Sequence, residues 1–200
     1  MVGSAYPTKM MMQLIHPELI LHTQRLLLEP LKQHHAALLY PIWQDPQIYC
    51  YIPQDPPASL KTLEQRYQKL EQRLSPTGEE AWLNWAVRLK SSDLFVGRVE
   101  ASISPIRIAE FAYVFGSQFW NNGYATEACQ QVLQVLSDDY GVIELQAQVD
   151  TRNQTSIRLL ERLHFERVEY QADVDFFKGS SSHEYTYRRS IAQSNPTDTN

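Results

Sequence analysis

The chain has 200 residues and a formal net charge of −5, from 18 Lys and Arg against 23 Asp and Glu, with 43% hydrophobic and 20% charged residues. That composition belongs to ordinary globular domains. A net negative chain without a basic run argues against a nucleic-acid binder. No apolar stretch approaches the roughly 20 residues of a membrane helix. Met10-Met11-Met12 is too brief and too poorly flanked to be a signal peptide, so a cytoplasmic protein is expected. Cys50 and Cys129 have no close-spaced partner, which argues against a disulfide framework and a cysteine zinc site. They are expected as reduced thiols acting as small apolar side chains in a metal-free protein.

Residues 1–20 show no periodicity and 191–200 are polar, so both ends are expected to be loose around a single domain spanning 21–190. Arg25-Leu26-Leu27-Leu28-Glu29-Pro30-Leu31 reads as a strand. Lys32 to Tyr40 reads as a short helix interrupted by Pro41, with His34-His35 on its solvated surface. Four prolines between Asp45 and Pro57 predict a loop. Leu60, Leu63, Tyr67, Leu70 and Leu74 then step by three and four along a helix, with Ser59 as its N-cap.

The period changes to two over Leu83 to Leu89, Phe95 to Ile103 and Ala109 to Phe115, predicting three strands in an antiparallel meander. Helical spacing returns over Ala125 to Leu136 and ends before Gly141. A strand from Ile143 to Val149 follows, then a helix marked by Ile157, Leu160 and Leu163. Strand candidates at Val168 to Val174 and Glu184 to Arg188 complete the pattern. The strand–helix–strand piece from Ile108 to Val149 implies a parallel pair. The fold class expected is α/β, a mixed sheet with helices on both faces.

One segment carries the chemistry: Phe115-Gly116-Ser117-Gln118-Phe119-Trp120-Asn121-Asn122-Gly123-Tyr124-Ala125-Thr126-Glu127-Ala128. A strand ends, a polar turn with a glycine follows, and a helix begins at small residues. Free amides at such a start suit an anionic phosphate. The Gly-Lys-Ser/Thr ending of a Walker loop and the three-glycine dinucleotide pattern are both absent. Spacing alone leaves a plain strand-to-helix turn equally open.

WNNGYATEA at 120–128 resembles the acetyl-coenzyme A loop of the GCN5-related N-acetyltransferase superfamily, most nearly the branch that acetylates ribosomal-protein N-termini. TQRLLLEPL at 23–31 resembles that branch's opening strand and DPQIYCYIP at 45–53 its first loop. AEFAYVF at 109–115 resembles the strand before the loop, and NQTSIRLLERLHF at 153–165 the last helix. The resemblance covers roughly 22–190, in the family's order. It implies the acyl-CoA N-acyltransferase fold: a mostly antiparallel sheet of about seven strands with a splayed parallel pair and about four helices.

The resemblance also implies roles. Backbone groups of Val114, Phe115 and Gly116 would hold the pantetheine arm of acetyl-CoA. Amides of Asn121, Asn122, Gly123, Tyr124, Ala125 and Thr126 would bind its pyrophosphate. Asn153 would hydrogen-bond the pantetheine, and Ser156 would reach the sulfur. Three positions depart from the pattern. Trp120 stands where the family has Gln or Arg, removing a cation. Leu160 replaces a tyrosine acid, and His164 replaces a glycine, implying a different local turn.

Glu110 falls on the even face of its strand, just upstream of the loop, as either a base acting through water or a solvated carboxylate. Asp173 and Asp175 share a face if their region is extended, and Asp175 matches a carboxylate that some relatives use as base. Trp43, Tyr49 and Tyr51 either wall an acceptor pocket or pack their loop onto the core.

The resulting expectation is an N-acetyltransferase that uses acetyl-CoA and no metal. The amine, in the first place a protein or peptide N-terminus, would attack directly in a ternary complex. A small polyamine or drug-like amine as acceptor, a non-catalytic CoA-ester-binding module, and a homodimer through an exposed edge also stand open.

Overall fold

Period-two segments become strands and period-3.6 segments become helices, because each pattern buries one apolar face only in its own geometry. In the computed structural model, which describes residues 17–191, the strands are β1 (Leu21–His22), β2 (Leu26–Pro30), β3 (Ala81–Leu89), β4 (Phe95–Ile103), β5 (Ile108–Phe115), β6 (Glu144–Asp150), β7 (Glu166–Phe177) and β8 (Ser180–Ser190). The helices are α1 (His35–Trp43), α2 (Leu60–Leu70), α3 (Tyr124–Asp138) and α4 (Gln154–Arg162). One eight-stranded sheet runs β1-β2-β3-β4-β5-β6-β8-β7, and every neighbouring pair is antiparallel except β5–β6. The fold is therefore the mixed α/β sheet with one parallel pair that was expected, with β1 as an additional short edge strand.

Odd-numbered residues of the central strands, among them Trp85, Val99, Phe111 and Leu145, pack with Ala128, Val132, Leu136 and Leu160 of α3 and α4 in the main core. A second cluster joins Leu39, Ile42 and Trp43 of α1 and Leu63 and Tyr67 of α2 to Ala86 on the opposite face. It covers the β3–β4 half of that face. The other half carries Glu110, Gln146, Gln148 and Thr186, a polar face over which neither apolar cluster of the described residues extends.

Several expectations are corrected. α1 runs through Pro41 to Trp43. The proline deletes one N–H, and burial of Ile42 and Trp43 offsets that loss. His35 is not on the solvated surface: it is buried, its Nδ1 accepting the Lys32 N–H at 2.9 Å and its Nε2 3.2 Å from Glu29. α2 stops at Leu70, and Leu74 instead forms a bridge to Ala81. The 45–57 loop contains a 3₁₀ turn over Pro46–Tyr49, capped by Asp45. Cys50 is exposed, whereas Cys129 is buried as expected.

The loose ends expected at 1–20 and 191–200 lie mostly outside the described residues. Where they are described, each makes contacts with the domain. Glu18 pairs with Lys32 at 2.9 Å and Arg73 at 3.1 Å, and the Ile191 N–H donates to Ile143 O at 2.9 Å.

Candidate functional site

β5 and β6 pair only over Ile108–Glu110 with Glu144–Gln146. Beyond that point the two strands part, while β5 stays paired with β4 to Phe115 and β6 with β8 to Asp150. Two bonds set the phase of the β4–β5 ladder: Ser104 N–H to Ile108 O at 2.9 Å, and Gly116 N–H to Val96 O at 3.0 Å. Even-numbered residues of β5 therefore bond to β4, and Phe111, Tyr113 and Phe115 turn their N–H and C=O toward the gap. Phe115 O accepts the Trp120 Nε1–H at 2.9 Å. The Phe111 N–H still meets Gln146 on the last paired rung, and beyond it the Phe111 C=O, both groups of Tyr113 and the Phe115 N–H have no strand partner among the described residues. Of the residues expected to face the gap, Val114 pairs with β4 instead, and Gly116 gives its N–H to β4 and its C=O to the Phe119 N–H at 2.9 Å.

The polypeptide leaves β5 into a tight loop with Asn121 at φ 61 and Gly123 at φ 77, both left-handed. The Asn122 side chain braces it, donating to Phe119 O at 3.2 Å and Trp120 O at 2.9 Å. Gly123 is the N-cap of α3 and brings no capping side chain, so the N–H groups of Tyr124, Ala125 and Thr126 remain for an outside acceptor. Gly116 is needed for space: a Cβ there would lie 2.7 Å from Ile42 Cγ2.

Asn153 caps α4, its Oδ1 accepting the Ser156 N–H at 3.1 Å. Ser156 O accepts the Tyr113 hydroxyl at 3.2 Å. Ser156 is thus held across the gap from Tyr113. Burial, and to a lesser degree the neighbouring Cys129, raise the Tyr113 pKa, so its hydroxyl stays protonated. Burial alone raises the Cys129 thiol far above its ordinary value.

On the polar face, a cleft of about 220 Å³ lies under the point where the strands part, lined by Glu110, Ala112, Gln146 and Gln148. Glu110 is exposed there. Asp175 is also exposed but lies on β7, three strand spacings from β5, roughly 14 Å or more away. The two carboxylates therefore serve different parts of the surface. Asp173 sits in an irregular stretch between Gln171 and Asp175 with φ 51, so the extended geometry that would align it with Asp175 is broken.

Sequence reasoning passed over two carboxylates here. Asp150, at the end of β6, accepts from Arg152 Nε at 2.8 Å and Nη2 at 2.6 Å, and from Ser182 Oγ at 2.7 Å. Burial would raise its pKa; these bonds more than offset that and hold it below the usual range. Glu184 lies opposite Asp150. Burial first, then the charges of Asp150 and Asp175, raise its carboxyl above 4.5. The only sequence signal was its place in an alternating polar strand face with Thr186 and Arg188.

Above this face two segments meet. β7 and β8 join through Lys178 and Gly179, both left-handed (φ 50 and 78). The Lys178 ammonium donates to Ile52 O at 3.3 Å, Gln54 O at 3.2 Å and Asp55 Oδ1 at 3.2 Å in the α1–α2 loop. Arg152 lies over the Tyr51 and Phe177 rings, 6.0 and 5.6 Å from their centroids. Trp43 and Tyr49 pack the loop, with Trp43 Nε1 donating to the Tyr67 hydroxyl at 2.7 Å and the Tyr49 hydroxyl to Trp43 O at 3.0 Å. Tyr51 alone of the three aromatics is exposed. Ser117 donates to Asp45, linking the base of this loop to the segment after β5.

Among the described residues no group of three metal-ligating side chains occurs, and no helix is long and apolar enough to cross a membrane.

Residues 25–166 match the Acetyltransferase (GNAT) domain. An uncharacterized N-acetyltransferase p20 of Bacillus licheniformis is 26% identical over 161 residues, covering 80% of this chain and 89% of that protein. Among solved structures, an acetyltransferase of Salmonella typhimurium that modifies the N-terminal serine of ribosomal protein L7/L12 aligns with TM-score 0.75 at 17% identity, covering 87% of this chain and all of that one. A ribosomal L7/L12 α-N-protein acetyltransferase in complex with coenzyme A aligns with TM-score 0.76 at 17% identity, covering 86% and 98%.

Proposed function

The chain belongs to the GNAT acetyltransferase family, and on that premise we propose that it moves the acetyl group of acetyl-CoA to a primary amine. The acceptor is a protein or peptide N-terminal amine, attacking directly in a ternary complex in the cytoplasm. The observation that carries this reading is the gap between β5 and β6, whose unpaired backbone groups lead to the uncapped start of α3.

The residues fit the coenzyme. Pantetheine is an extended chain with two amides, and the C=O of Phe111, the N–H and C=O of Tyr113 and the N–H of Phe115 offer a strand edge for it. The amides of Tyr124, Ala125 and Thr126, with the turn through Asn121, Asn122 and Gly123, would hold the pyrophosphate. When bound, the thioester supplies the activated acetyl group. Asn153 holds the first turn of α4 and thereby Ser156, which offers a hydrogen bond on the gap side. A neutral hydroxyl suits that role better than a proton donor's.

Glu110 lines the cleft under the gap and accepts the amine proton through water. An α-amine with pKa near 8 is already partly neutral and asks little of such a base, whereas a lysine near 10.4 asks more. Glu184 and Asp175 on the far arm face the remainder of the acceptor and favour its ammonium form on approach. Clamping both reactants in one cleft contributes much of the acceleration.

Mass spectrometry of a panel of peptides and small amines incubated with acetyl-CoA tests the reading. Acetylation confined to peptide N-termini is the expected result. Acetylation confined to polyamines overturns the acceptor assignment, and no product with any amine, despite coenzyme binding, overturns the catalytic one.

A further inference from the structure

Arg25 lies just before β2 in the chain, 97 residues from Asn122, yet the fold brings its side chain to the start of α3. Its Nε is 2.6 Å from Glu127 Oε2, and its Nη1 donates to Asn122 O at 3.0 Å. Its guanidinium carbon sits 4.8 Å from the centroid of the Tyr124 ring. A Cβ at Gly123 would meet Arg25 Nη2 at 3.4 Å, so the absent side chain leaves that edge of the guanidinium open over the loop. Among the described residues Nη2 has no hydrogen-bond acceptor, and the side chain is 46% exposed.

Glu127 explains why the arginine is held there. This carboxylate lies in the first turn of α3, where it would repel an anion approaching the helix start. Its Oε1 accepts from Thr23 Oγ1 at 2.6 Å and from the Arg25 backbone N–H at 2.7 Å, and its Oε2 takes the guanidinium. Burial would raise its pKa, but these three donors more than offset that, so it stays ionised and anchors Arg25. The pair cancels the unfavourable charge, pins the Asn122 carbonyl, and turns two spare N–H groups toward the loop. Trp120, where the family places Gln or Arg, cannot supply a cation there: its indole N–H is spent on Phe115 O.

We propose that Arg25 is the cation of the phosphate loop, donating through Nη2 to a phosphate of the coenzyme while holding the loop in its binding shape. The inference rests on the coenzyme assignment above. Isothermal titration of wild type, Arg25→Met and Arg25→Lys with CoA, 3′-dephospho-CoA and pantetheine tests it, with thermal unfolding to establish that each variant is folded. Arg25→Met should weaken CoA about ten- to hundredfold, as for loss of a charge-assisted hydrogen bond. Arg25→Lys should recover part of that loss, and pantetheine should bind all three proteins alike. Equal weakening of CoA and dephospho-CoA places the contact on the pyrophosphate, and weakening of CoA alone on the 3′-phosphate. The salt dependence of CoA binding should also become shallower in Arg25→Met.

Unchanged CoA affinity in folded Arg25→Met overturns the proposal, as does an equal loss for pantetheine, which would mark a merely structural role. Failure of the wild type to bind CoA would instead overturn the coenzyme assignment.

Discussion

The Tyr113 hydroxyl donates to the carbonyl oxygen of Ser156 at 3.2 Å, joining β5 to the first turn of α4 across the gap where the sheet is unpaired. No strand-to-strand hydrogen bond spans the sheet there, so this contact helps set the width of the opening. Tyr113→Phe removes it while keeping the ring. The loss should be about 1 kcal/mol, a fall of some 2–4 °C in Tm for a chain of this size. Because burial keeps the hydroxyl protonated, the effect should be independent of pH across the neutral range. Thermal unfolding at several pH values checks both statements, and a pH-dependent difference would refute the second.

Lys178 ties the β7–β8 turn to the α1–α2 loop through two carbonyls and the Asp55 carboxylate. This clasp lies beside the cleft proposed for the acceptor, away from the start of α3. Lys178→Met should therefore raise KM for the amine several-fold and leave KM for acetyl-CoA unchanged. Steady-state kinetics with each substrate varied in turn separates the two. An equal rise in both would show that the clasp supports the whole fold.

Glu184 and Glu110 are expected to govern different kinetic constants. Glu184 titrates above the ordinary carboxyl value because it is partly buried and faces Asp150 and Asp175. In the proposed arrangement its ionised form would attract the acceptor ammonium, so acceptor KM should fall as pH rises through this elevated value. Asp175→Asn removes one of the two repelling charges and should move the transition to lower pH. Glu184→Gln should flatten it. Glu110→Gln should instead lower kcat by about 10²–10⁴-fold, the range for loss of a general base. A kcat unaffected by Glu110→Gln would show that another group accepts the proton.

His164 takes φ 62 at the end of α4, with its N–H bonded to Glu161 O at 3.0 Å and the Phe165 N–H to Leu160 O at 3.0 Å. The histidine therefore makes the left-handed turn that a glycine makes without strain, and the different turn inferred from its identity does not occur. A non-glycine residue loses about 1–2 kcal/mol in that conformation, while glycine gives back about 0.5–1 through unfolded-state entropy. His164→Gly should raise stability by up to about 1 kcal/mol, read as a higher urea midpoint at unchanged slope.

Element types, their order and the strand–turn–helix at 115–128 were legible in the sequence because they rest on local rules. Alternation buries one face of a strand, three-and-four spacing buries one face of a helix, and a small residue after a polar turn opens a helix start. Ser59 was legible as a helix start for the same reason, whereas the capping role of Asn153, expected only as a pantetheine contact, was not. Relations between distant segments were not. Which β5 residues face the gap depends on the phase of the β4–β5 ladder, set by hairpin bonds at Ser104 and Ile108; of the three expected residues this keeps Phe115, drops Val114 and Gly116, and adds Phe111 and Tyr113. Tertiary contacts alone carried α1 past Pro41, buried His35 against Glu29 and set Glu184 beside Asp150. They also brought Arg25 to Glu127. Hydrophobic periodicity encodes the faces that each element must bury, whereas pairwise polar contacts depend on where the packed elements finally place their ends.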